Sequence, residues 1–351
     1  MTLSAATKYS LADFLYLESE DPLAPSEEFL KWCADGERAM SLYEQSLAQG
    51  PVARTSIMVD GRAQSVINLT SYNYLGLGTH PKTVQAAKDA LDAFGTGSCG
   101  SPILSGMTTA HRDLEAAVSA FLGREQTMLF NSGFGGAFGI MAGLLRRGDV
   151  AVLDERCHIC WLEGAKAAGA RPEFFAHNDA EALDAALRKH EGKRRVIVVE
   201  GIYSMDGDLA DLPALVPAAQ RHGVGVVIDE AHSILTTGET GKGATEHFGI
   251  EDGIVLKYGT FSKAFAGVGG FVSGPAATLR YLRFYANSYS FSCSLPPATV
   301  GALIAALAVS LDEPERRQKL QANADYFRGQ LDGLGFDTGA SASQVVPIII
   351  G

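Results

Sequence analysis

The chain reads as an α/β protein built on a mostly parallel sheet with helices against both faces. Short β-branched runs alternate with alanine-rich helical stretches, as strands buried on both sides require. The 351 residues, 46% of them hydrophobic, supply more core than one ordinary domain uses.

The first sixty residues are only partly periodic. They predict a helix around Ser26 to Gln49, then a hairpin about the turn Asp60-Gly61. The strand candidates that follow are Gln126–Phe130, Val150–Leu153, Arg195–Glu200, Gly225–Asp229, Ile254–Tyr258 and Gly270–Ser273. Helical stretches such as His111–Leu122, Ala180–His190 and Leu212–His222 lie between several of them. After Pro296-Pro297 the pattern turns helical to about Leu334, and Val345–Ile350 reads as the start of a strand. The chain thus divides into an N-terminal segment (1–60), a large ligand-binding domain (61–297) and the start of a C-terminal domain (298–351).

Charge and cysteine usage narrow the function. A formal net charge of −11 argues against nucleic acid or anionic membrane as the main partner. Five scattered cysteines form no disulfide framework, which points to a reducing cytoplasm. Residues Met1 to Leu15 lack a basic stretch followed by an apolar core, and no apolar run reaches membrane-spanning length.

In open parallel sheets, ligands bind beyond the carboxyl ends of the strands. Lys263, in Thr260-Phe261-Ser262-Lys263, follows a strand and precedes small residues and glycines. An amine partly desolvated there has a lowered pKa and is the neutral nucleophile a Schiff base needs. The plain alternative is a surface lysine. Asp229 ends the apolar run Val226-Val227-Ile228, where a charged acid needs a partner such as a pyridinium nitrogen. His232, three residues on, has the reach for a ring hydroxyl. A helix cap is the alternative for Asp229. Asp-Glu-Ala-His also occurs in helicases, but the phosphate-binding loop those enzymes need is missing from this sequence.

Asn131-Ser132-Gly133-Phe134-Gly135-Gly136 lies between a strand and a helix, where amides can approach a phosphate. It also mimics a dinucleotide fingerprint, with Asp154 near the expected ribose-binding position. Cys157 and Cys160 invite a metal reading, but no second cluster of ligands sits at zinc spacing, so no metal is expected. His158, between them, is placed to stack on an aromatic ring. Ser204 reads by its chemistry as a loop-former.

Taken in order, these segments resemble the α-oxoamine synthases, a fold-type I group of pyridoxal-phosphate enzymes. The matching stretches include Ser71–Leu77, Gly95–Ser98, Ser105-Gly106, His111–Glu115, Glu200–Asp208, Asp229–Ser233, Thr260–Lys263 and Ser292–Pro297. The resemblance implies that Lys263 forms the internal aldimine, Asp229 pairs with the pyridine nitrogen, His232 contacts the ring hydroxyl and His158 stacks on the ring. It implies that Ser132, Gly133 and Phe134, with the Thr260 hydroxyl, surround the cofactor phosphate, and that Ser204 lies on the ring-hydroxyl side. Ser292 and Cys293 would reach the phosphate of a neighbouring subunit in a homodimer, and Asn73 would lie near the substrate.

The implied reaction is a decarboxylative Claisen condensation of serine, glycine or alanine with a thioester of coenzyme A or acyl-carrier protein. Within the family the motifs look most like those of serine palmitoyltransferases. Members commonly carry arginine where this chain has Pro102, and they continue past the point matching Gly351 with an arginine that binds the amino-acid carboxylate. The small C-terminal α/β domain is therefore expected to be incomplete. A nicotinamide-dependent oxidoreductase gives Lys263 and the Asp229/His232 pair no role. A non-catalytic partner subunit would be expected to lack the lysine.

Overall fold

The computed structural model describes residues 23–36, 46–59 and 61–350. Two compact units divide at Thr70/Ser71. In the first, helix α1 (Glu27–Gly36) opens with two acids in its first turn, and Ser26 Oγ accepts from the Phe29 amide. Both features suit a helix N-terminus. Strands β1 (Arg54–Val59) and β2 (Arg62–Ile67) pair antiparallel with Val59 opposite Arg62. Gly61 takes the positive φ that so short a turn demands, while Asp60 lies outside the described residues. The helix expected to run to Gln49 does not do so. Leu47 bridges to Ile57 instead, because Gly50-Pro51 stops a helix and leaves the preceding residues free to pair. Residues 37–45 of that expectation lie outside the described residues.

The second unit holds a seven-stranded sheet among the described residues. Its strands are β3 (Gln126–Phe130), β4 (Val150–Asp154), β5 (Arg171–Phe175), β6 (Arg195–Glu200), β7 (Val226–Asp229), β8 (Ile254–Thr260) and β9 (Gly270–Gly274). They lie in the order β3-β9-β8-β7-β6-β4-β5, and only β9 runs against its neighbours. β5 is the strand the apolar pattern misses. It sits at the edge, half-exposed, with Pro172 and Glu173 interrupting the run, and an edge tolerates proline.

The helices are α2 (Pro81–Phe94), α3 (Thr109–Leu122), α4 (Gly133–Leu144), α5 (Ile159–Ala167), α6 (Ala180–Lys189), α7 (Leu212–Arg221), α8 (Ala244–Phe248), α9 (Ala276–Tyr285), α10 (Asn287–Ser290), α11 (Pro297–Asp312) and α12 (Glu315–Gly333). Three buried clusters surround the sheet. One joins α4, α5 and α9 to the central strands, one joins α3 and α11 to β9, and one joins α6 and α7 to β4, β6 and β7. Val345–Ile350 forms no strand. Its only pairing is an isolated bridge from Ile349 to Asp337, since an apolar run without a neighbouring ladder has nowhere to place its backbone groups. No helix among the described residues is long and apolar enough to cross a membrane.

Because β9 is reversed, its first residue, Gly270, sits beside Thr260 at the end of β8 and Phe130 at the end of β3. The carboxyl ends of β4, β6 and β7 open on the same edge, with Glu200 opposite Asp229 and Asp229 opposite Tyr258.

Candidate active site

Lys263 sits in a tight turn after β8. The Phe261 amide donates to the Gly269 carbonyl (2.9 Å) and the Ala266 amide to the Lys263 carbonyl (2.8 Å). Ala266 adopts a left-handed φ of 57°, uncommon for a residue with a side chain, and buried Phe261 and Phe265 anchor the loop on either side of the lysine. The Lys263 side chain lines a cavity of about 180 Å³ with Gly133, Phe134, His158, Asp229, His232 and Thr260. Burial lowers its amine pKa, while the charges of Asp229 and Glu200 pull it back up.

Asp229 is 4% exposed and forms no ion pair among the described residues. Its Oδ2 accepts from Trp161 Nε1 (2.7 Å) and its Oδ1 from the Ala231 amide (2.9 Å). Burial raises the carboxyl's pKa, and Lys263 and these donors draw it down. Each oxygen keeps a lone pair for a further donor. Trp161, fully buried on α5, also packs edge-on against Tyr258 with centroids 5.2 Å apart, and the two rings support the acid from below. Beside Asp229 stands Glu200, 2% exposed, whose pKa burial and the neighbouring acid push well above the ordinary range. Its Oε1 accepts from the His158 amide (2.5 Å), and it also accepts from the Ser204 amide. One buried carboxyl thus pins the loops after β4 and β6.

His158 caps α5. Its Nδ1 faces the Cys160 amide (3.3 Å) and the Cys160 thiol (2.9 Å), and burial lowers its pKa. His232, 7% exposed, is held down to a pKa of about 3 by burial, then by Lys263 and His158. Tyr74 Oη lies 2.8 Å from its Nδ1, and Gln344 Nε2 donates to its carbonyl (2.6 Å).

The opposite end of the cavity is the N-terminus of α4. Ser132 caps it, accepting from the Gly135 amide (2.9 Å). A Cβ on Gly133 would fall 2.7 Å from Thr260 Oγ1, so glycine alone leaves this corner open. Thr260 Oγ1 lies 2.7 Å from Ser262 Oγ and 2.9 Å from the Gly269 carbonyl.

The fold thus brings Gly133, Phe134, His158, Ser204, Asp229, His232, Thr260 and Lys263 to one cavity, with Ser132 just outside its lining. Asn73, Ser292 and Cys293 do not line it. Asn73 Oδ1 accepts from the Gly78 amide (3.2 Å), and exposed Cys293 borders a separate small pocket with Pro102 and His111. Asp154 is not free for a ribose. Its Oδ1 pairs with His177 Nδ1 (2.9 Å) and its Oδ2 accepts from the Asn178 amide (3.0 Å). Cys157 Sγ points to the Val198 carbonyl (3.3 Å). Trp161, Tyr74 and Gln344 were not singled out as site residues in the sequence, and Glu200 was seen only as a strand-end acid. For Glu200, an acid closing an apolar strand beside a second such acid was the available signal.

Residues 64–351 match the family described as aminotransferase class I and II. The serine palmitoyltransferase of Sphingobacterium spiritivorum is 39% identical over 297 residues, 84% of this chain and 74% of that protein. The 8-amino-7-oxononanoate synthase of Bacillus pumilus is 37% identical over 300 residues, 85% of this chain and 76% of that one. Among solved structures, the S. paucimobilis serine palmitoyltransferase with bound PLP–myriocin aldimine superposes with a TM-score of 0.85 at 30% identity, over 92% of this chain and 85% of that chain. The Sphingomonas wittichii serine palmitoyltransferase does so with a TM-score of 0.84 at 30% identity, over 91% and 81%.

Proposed function

Because this chain belongs to the class I and II aminotransferase family, and within it to the pyridoxal-phosphate-dependent α-oxoamine synthases, we propose that it joins an amino acid to an acyl thioester with loss of carbon dioxide. The observation that carries this reading is a desolvated amine and an acid with no ion pair among the described residues lining one cavity, with a glycine-floored helix N-terminus at its other end.

These residues suit pyridoxal phosphate. Gly133 and Phe134 offer amides to the phosphate, and the Thr260/Ser262 hydroxyl pair has a proton that an anion there can draw toward itself. Asp229 holds a proton on the ring nitrogen while Trp161 and Ala231 hold the acid in place. Bound there, the cofactor acts as an electron sink for the α-carbon of the amino acid. Lys263 would hold it through Nζ, and its amine of lowered pKa would be suited to take the α-proton. His158 would cover one ring face, and His232 would donate to the ring hydroxyl.

Serine is the amino acid we favour, after the serine palmitoyltransferases this chain is similar to, with glycine and alanine as the alternatives. In this reading Ser292 and Cys293, which do not line their own chain's cavity, complete a neighbouring subunit's site in a homodimer. Five cysteines suit a reducing cytoplasm.

The test is optical and chemical. Purified protein loaded with pyridoxal phosphate should show a visible absorption band that Lys263→Ala abolishes. Thiol release from a long-chain acyl thioester should depend on one added amino acid. A protein that stays colourless, or releases thiol regardless of amino acid, rules the reading out.

A further inference from the structure

Two segments far from His232 in the chain converge on it, Tyr72 and Tyr74 at its imidazole and Gln344 at its backbone carbonyl. Tyr74 Oη lies 2.8 Å from Nδ1, and Gln344 Nε2 donates to the His232 carbonyl at 2.6 Å. A backbone carbonyl only accepts, so the NH₂ end of Gln344 must face it. The Gln344 side chain also hydrogen-bonds Tyr74 and stabilises negative charge on the phenol oxygen, as a donor does. The Tyr72 ring stands edge-on to the imidazole with centroids 6.2 Å apart and closes that side.

We propose that Tyr74 and Gln344 fix His232 as the Nε2–H tautomer, so that the ring presents a hydrogen-bond donor to the cavity. The imidazole is neutral and carries one N–H, so the Tyr74 contact has two possible polarities. If Nδ1 held the proton, the phenol oxygen would accept from both Nδ1 and Gln344. Its own proton would then have no acceptor among the described residues. With the phenol proton on Nδ1, every group is satisfied. Burial, then the nearby Tyr72 hydroxyl, raises the Tyr74 pKa and keeps that proton in place. Nε2–H lies on the opposite side of the ring from Nδ1, and His232 lines the cavity. Tyr74 and Gln344 are therefore positioning residues acting through His232. What the donor meets, an anionic ring oxygen, rests on the synthase reading, whereas the tautomer itself does not.

The experiment uses ¹⁵N-histidine-labelled protein without cofactor. Two-bond nitrogen–proton correlations give the His232 tautomer, assigned with His232→Asn. The wild type should show a single Nε2–H pattern, Tyr74→Phe a mixture of tautomers, and Gln344→Ala a partial loss of the pure pattern. Pyridoxal-phosphate affinity should fall about tenfold in Tyr74→Phe, the scale of one oriented hydrogen bond. An Nδ1–H pattern in the wild type, or a pure Nε2–H pattern retained in Tyr74→Phe, overturns the proposal. Should Tyr74→Phe fail to fold, the wild-type pattern and Gln344→Ala still decide it. A colourless protein with the predicted tautomer would sink the synthase reading alone.

Discussion

At the residue scale, the floor of the site depends on buried acids held by the donors around them. Glu200 receives amides from His158 and Ser204, and burial with Asp229 alongside raises its pKa. Glu200→Gln keeps an acceptor for these amides, so it should change stability by less than about 1 kcal/mol. Glu200→Ala leaves two buried amides unpaired and should cost about 2–4 kcal/mol. Urea denaturation of both variants measures the difference, and equal losses would show that the acceptor on this side chain is not what holds the two loops. Lys263 and Asp229 were readable one at a time, because a lysine among glycines and an acid ending an apolar strand are both chemically odd. Trp161 was not. A tryptophan in an apolar helix reads as core, and only the tertiary fold brings its Nε1 within hydrogen-bond reach of Asp229.

At the element scale, the reversed strand β9 runs between β3 and β8 so that Gly270 lies against Gly133. A Cβ on Gly270 would meet Gly133 Cα at 3.1 Å. The N-terminus of α4 is thereby pressed toward Thr260 with no room for a side chain. Gly133→Ala should leave the sheet intact yet lower pyridoxal-phosphate affinity at least about tenfold, since its methyl takes the place offered to the phosphate. Titration of the absorption band against added cofactor checks this, and unchanged affinity would place the phosphate elsewhere. Strands β3, β4, β6, β7 and β8 were visible as apolar runs because both their faces are buried. β5 was hidden because an edge strand covered on one side tolerates Pro172 and Glu173. The antiparallel course of β9 was equally hidden, since a five-residue strand carries no mark of its direction.

At the scale of the whole molecule, the site imposes an acid limit on stability. The pKa of His232 falls from 6.5 to about 3 on folding, with burial the first cause, and that of His158 is lowered too. A base with a depressed folded pKa favours the native state fully above pH 6.5, and this contribution drains away as pH falls toward 3. Asp229 and Glu200 act in the opposite sense, because their raised pKa values favour the native state more as pH falls. The histidine contribution is therefore isolated by comparison. Between pH 6.5 and 4, His232→Asn should lose less stability than the wild type by up to about 3 kcal/mol. Parallel curves from denaturant unfolding at each pH would mean that folding leaves the His232 pKa unshifted.

The alternation of buried runs with helical stretches was enough to read an α/β chain, because sheet burial and helix periodicity are local properties of neighbouring residues. The ordered motifs were enough to read a family resemblance and a chemistry, because an amine, an acid and a glycine-rich turn after strands each carry their own reason. Contacts between distant positions were beyond reach of that reading. Tyr74, His232 and Gln344 meet across 158 and 112 residues, and Trp161 finds Asp229 across 68. A hydrogen bond of that kind leaves no periodicity in the chain. It exists only once the fold has spent its hydrophobic surface and brought the two groups within about 3 Å.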